Sequence, residues 1–117
     1  MDSSGKIFIL LVCGGGFATS QLAIHTIKTK LEERGFKPSK FRFEGEQFYK
    51  LRDKLGRIGD QVDIIVSAIA VNREFYNAGT TTRDIPILRS TAFVVGSDEQ
   101  INKDMDKLIE MLKIKPQ

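Results

Sequence analysis

Residues 6–20 read KIFILLVCGGGFATS, and the change of character at Cys13 decides the fold. Residues 6–12 are an almost unbroken apolar run of strand formers, the pattern of a central strand covered on both faces. Gly14, Gly15 and Gly16 break it. From residue 19 the period becomes helical: Ala23, Ile24, Ile27 and Leu31 share one face, with His25, Lys28 and Glu32 opposite. Gly35 stops this helix and Pro38 prevents its return.

The remaining chain extends the same alternation. Residues 40–44 (KFRFE) set Phe41 and Phe43 between charges, as in a half-exposed edge strand, and Gly45 is expected to end it. Residues 46–58 place Phe48, Leu51, Leu55 and Ile58 at helical spacing, with Gly56 weakening the last turn. Residues 62–68 (VDIIVSA) read as a second buried strand. A polar loop at 72–84 leads to a short strand at 85–88, whose Pro86 suits an edge. After a brief apolar run at 92–95, Ser97 and Gln100 form a capping box. It opens a closing helix with Ile101, Met105, Leu108, Ile109 and Leu112 on one stripe. Phe41, Phe43, Phe48 and Phe93 are expected in the core. The order predicts a three-layer α/β fold: a four-stranded parallel sheet flanked by helices on both faces, in one domain spanning residues 1–117. Sites in such sheets lie at the carboxyl ends of the strands, where Cys13 stands.

Composition narrows the function classes. The 117 residues are 41% hydrophobic and 28% charged, ordinary for a globular protein able to bury a core. The single cysteine makes no internal disulfide, and the longest apolar run is too short to cross a bilayer. A cytoplasmic protein is expected. Lysine and arginine exceed acids by 18 − 15 = 3, and residues 28–57 hold ten basic against five acidic side chains. With no helix-turn-helix or aromatic stacking motif, this stretch predicts solvated helix faces or an acidic protein partner, and no nucleic acid.

Three successive glycines let backbone N–H groups turn inward on one centre. The first turn of a helix adds unpaired N–H groups and the positive end of its dipole. Together they suit a tetrahedral dianion, and they favour a nucleophilic thiolate at Cys13. The loop to be tested is therefore Cys13 with Gly14, Gly15, Gly16, Phe17, Ala18, Thr19 and Ser20. The Thr19 and Ser20 hydroxyls suit phosphate or sulfur, or simply the capping of the helix. Arg73, Arg83 and the threonines at 80–82 lie in the loop near the predicted mouth, as candidates for phosphate or partner contact or as a solvated loop. His25 is expected to be solvent-exposed. One Cys and one His do not make a metal site, and no cofactor is called for. The glycines match neither the dinucleotide nor the Gly-Lys-Ser/Thr nucleotide pattern.

The run from Cys13 through Ser20, placed after the first strand, resembles that of enzyme IIB components of the sugar phosphotransferase system, in particular the galactitol-type branch. Element order and chain length agree over nearly the whole sequence. The resemblance implies that Cys13 accepts a phosphoryl group from a histidine of enzyme IIA. It then passes the group to a sugar or sugar alcohol held by the membrane transporter, enzyme IIC, at the inner face of the membrane. The same loop position occurs in low-molecular-weight tyrosine phosphatases. Their arginine is replaced here by Thr19, so the guanidinium that stabilises the equatorial oxygens is missing. Arsenate reductases of this fold need further cysteines, which this chain lacks. A carrier fits better than a hydrolase, with a regulatory adaptor that never transfers to sugar as the alternative.

Overall fold

The computed structural model describes residues 1–14, 17–69 and 85–115. Four strands form one parallel sheet: β1 (Ile7–Cys13), β2 (Phe41–Gln47), β3 (Ile64–Ser67) and β4 (Ile87–Arg89), in the order β2-β1-β3-β4. Helix α1 (Phe17–Glu33) follows β1, α2 (Leu51–Ile58) follows β2, and α3 (Ala92–Val95) and α4 (Asp98–Leu112) follow β4. This is the three-layer α/β fold expected. β1 is interior, with every residue from Phe8 to Cys13 buried, and β2 and β4 are the edges.

The alternation of a strand assigns each β1 residue to one of two cores. Ile9 and Leu11 pack with Ala23, Ile24, Ile27 and Leu31 of α1, Phe93 of α3, and Met105 and Leu108 of α4. Phe8, Leu10 and Val12 pack on the opposite face with Leu51 and Leu55 of α2, Val62, Ile65 and Ile85. By the same period of two, Cys13 points toward α1. The capping box forms as read: Ser97 Oγ accepts from the Gln100 N–H at 3.3 Å, and Gln100 Oε1 accepts from the Ser97 N–H at 3.1 Å.

Three expectations need correction. Helix α1 begins at Phe17 rather than residue 19, so Thr19 and Ser20 lie inside its first turn and do not cap it. Gly45 does not end β2: the strand runs through it to Gln47, because Leu11, Val12 and Cys13 of β1 go on pairing with Gly45, Glu46 and Gln47. The helix expected over residues 46–58 is accordingly shorter. A tight 3-10 turn at Phe48–Lys50 precedes α2, and it leaves Phe48 41% exposed instead of in the core. Phe41 and Phe93 are buried as expected, with Phe43 packed half-buried against them. The apolar run at 92–95 is a single helical turn.

Candidate functional site

Cys13 ends β1 at the carboxyl edge of the sheet, its side chain 3% exposed. From the first turn of α1, Ser20 donates its hydroxyl to Cys13 Sγ at 3.0 Å. The sulfur in turn lies 3.8 Å from the main-chain oxygen of Glu46 on β2. Ser20 is itself buried, so its donor is aimed at the sulfur rather than at solvent.

The Cys13–Ser20 pair borders a cavity of about 330 Å³ whose other walls are Gly45, Glu46, Gln47 and Lys50. All four come from the end of β2 and the turn after it. Gly45 is fixed by close approach, not by its backbone angles. A Cβ there would stand 2.6 Å from Ser20 Cβ and 3.0 Å from its Oγ. Along β2, Phe41, Phe43 and Gly45 alternate toward α1, where the last position must vanish to let Ser20 reach the sulfur. On the strand's other side Glu44 and Glu46 meet Lys54 of α2, at 2.6 Å and 3.8 Å respectively, and Arg42 also pairs with Glu44. Burial pushes the Glu44 carboxyl up, but hydrogen bonds and charge from Lys54 and Arg42 outweigh it and hold it below its usual value.

Thr19 borders a separate crevice with Cys13, Ala68, Ser90 and Phe93, about 10 Å³ in volume and too tight for a ligand. Gly14 is exposed and has room for a side chain, since an added Cβ would meet only Ile69 Cγ2 at 3.6 Å. Gly15, Gly16, Arg73, Arg83 and the threonines at 80–82 lie outside the described residues, as does the loop at 72–84. Phe17 and Ala18 are in the first turn of α1. His25 is exposed on α1. Within the basic stretch, Arg34 pairs with Asp106, Lys30 with Glu33 and Asp98, and Arg42 and Lys54 with Glu44, so much of its charge is spent inside the molecule. Among the described residues, no group of three or more His, Cys, Asp and Glu is placed to hold a metal ion. No described helix is long and apolar enough to cross a membrane.

Gly45, Glu46, Gln47 and Lys50 were not singled out as site residues by the sequence. The usable signal was the period of two: carried one step past Phe43, it puts Gly45 on the α1 side and extends β2 level with Cys13.

A family model, that of the lactose/cellobiose specific IIB subunit of the PTS system, matches residues 8–111. No curated protein and no solved structure matches the chain.

Proposed function

The chain belongs to the lactose/cellobiose specific IIB family of the phosphotransferase system, and from that membership we propose that Cys13 is the residue that carries its phosphoryl group. The observation that carries this reading is the 3.0 Å hydrogen bond from Ser20 to Cys13 Sγ at the wall of a cavity large enough for a phosphate. The Cys13 thiolate attacks the phosphorus of a phosphohistidine on enzyme IIA. The S–P bond forms as the P–N bond breaks, and the departing imidazole nitrogen takes up a proton. In the second step a hydroxyl of the sugar held by enzyme IIC attacks phosphorus, loses its proton, and releases the thiolate. Ser20 stabilises the sulfur whenever it bears charge, at the start of the first step and the end of the second. Positioning and electrostatics are most of what such transfers require.

Thr19, standing where a phosphatase has its arginine, lines the narrow crevice, and without that guanidinium a carrier fits better than a hydrolase. The amides of residues 14–18 complete the phosphate loop in this reading, and Arg73 and Arg83 are held as partner or phosphate contacts. The protein works in the cytoplasm, docked through enzyme IIC on the inner face of the membrane. The loop resembles that of the galactitol-type branch, a likeness of sequence and not a substrate assignment, while the family description names lactose and cellobiose. Supplying each sugar with its transporter decides between them.

Incubation with a phosphorylated cognate IIA should add the mass of one phosphate, and Cys13→Ser should abolish the gain. No gain in the wild-type chain would sink the reading. Phosphocysteine that forms but yields no sugar phosphate with IIC and sugar present would instead establish the regulatory adaptor.

A further inference from the structure

We propose that Lys50 is a phosphate-binding residue of this site: its ammonium swings from the rim onto the phosphoryl group at Cys13. The inference rests on the reading of Cys13 above. A phosphoryl group on the sulfur would bring negative charge into a cavity already bordered by Glu46, whose main-chain oxygen lies 3.8 Å from Sγ. That charge needs a cation. Lys54 of α2 is engaged by Glu44 at 2.6 Å and Glu46 at 3.8 Å. Lys50 is the one cationic side chain among the described residues of the cavity wall.

Lys50 is also uncommitted. Among the described residues its ammonium has no ion pair, and it rests 5.8 Å from the centre of the Tyr49 ring. Tyr49 is held in turn by its hydroxyl, which donates to Gln47 Oε1. A cation at that distance from an exposed ring is weakly bound, so a phosphate dianion draws it away at little cost. The phosphatases of this fold take their guanidinium from the loop itself, at the position of Thr19. Here a cation arrives from the turn after the neighbouring strand, and as an ammonium on a flexible stem rather than a rigid fork. It neutralises equatorial oxygens without aligning a water for attack. No bond forms at Nζ and no proton leaves it; the ammonium donates hydrogen bonds to the oxygens that stay on phosphorus in both transfers.

The full chain, unphosphorylated, is titrated with inorganic phosphate and followed by amide NMR. Phosphate is expected to saturate the Cys13 end of the sheet, and Lys50→Met to weaken its binding about tenfold or more, as loss of one charge-assisted hydrogen bond does. Lys50→Arg should restore most of the affinity. Lys40→Met, with the same loss of charge at the far end of β2, should leave it unchanged. Equal affinity in wild type and Lys50→Met, or equal loss in Lys40→Met, overturns the assignment. Phosphoryl uptake from IIA, measured on the same samples, separates the two ideas. Uptake on Cys13 with unaltered phosphate affinity in Lys50→Met removes Lys50 alone, whereas no uptake by the wild type removes the carrier reading itself.

Discussion

Two strand-to-helix junctions meet at the carboxyl edge of the sheet, and they are built on opposite plans. The first, from β1 into α1, carries the sulfur and its hydroxyl donor seven positions apart, from Cys13 to Ser20. The second, from β2 into α2, carries no nucleophile. Its contribution is shape: Gly45 leaves room for Ser20, Glu46 and Gln47 flank the sulfur, and a tight turn sets Lys50 on the rim. The reactive group is thus local in sequence, while the walls around it are set by register across the sheet.

The contrast breaks hardest at Gly45. An Ala there must push Ser20 aside, since the added Cβ would lie 2.6 Å from a helix Cβ that has no freedom to swing. Gly45→Ala should lower stability by about 1–3 kcal/mol, the usual cost of overpacking, and should slow phosphoryl uptake as well. Ser20→Gly vacates the contested space. In chemical denaturation the Gly45→Ala/Ser20→Gly pair should therefore lose about 1 kcal/mol less than the two single losses combined. Strict additivity would mean that the close approach is not what fixes Gly45.

The same contrast explains what the sequence made legible. The apolar run of β1, the glycines and the periodic α1 each announce themselves within about ten residues, so Cys13, Ser20 and the layer order follow from local pattern. Gly45 was misread because glycine usually interrupts a strand. Here it is retained inside one for a neighbour 25 positions earlier in the chain, Ser20, whose approach no local pattern announces. Phe48 fell to a related error. Helical spacing from residue 46 gave it a core position, but the extension of β2 to Gln47 shifts the start of α2 and turns the ring outward. Both misses come from one fact of long range, the register that pairs Cys13 with Gln47.

A smaller effect tests the first junction from inside. Ser20→Ala keeps the helix and removes only the donor to sulfur. Stability should change by about 1 kcal/mol, the net worth of a buried hydrogen bond. Phosphoryl uptake by Cys13 should fall about tenfold, because the attacking sulfur loses a buried side-chain donor aimed at it. Were uptake unchanged while stability dropped, Ser20 would belong to packing alone, and the first junction, like the second, would contribute shape around the sulfur.

The smallest effect concerns the pairing that ties α2 to β2. Glu44 is held below its usual carboxyl value against the opposing pull of burial, by Lys54 at 2.6 Å and by Arg42. A carboxyl lowered in the folded state contributes stability that is fully present above its unfolded value, near 4.5, and that is lost as pH falls through the folded one. Wild type should therefore exceed Glu44→Gln by about 0.5 kcal/mol at neutral pH, in the range of partly exposed ion pairs. The margin should shrink on acidification between about pH 5 and pH 3. Urea midpoints across that window measure it. Lys54→Met should flatten the wild-type slope in the same interval, because it removes the leading source of the lowering. A constant gap at every pH would show that Lys54 and Glu44 merely lie side by side, leaving the position of α2, and of Lys50 at its start, to the buried Leu51 and Leu55.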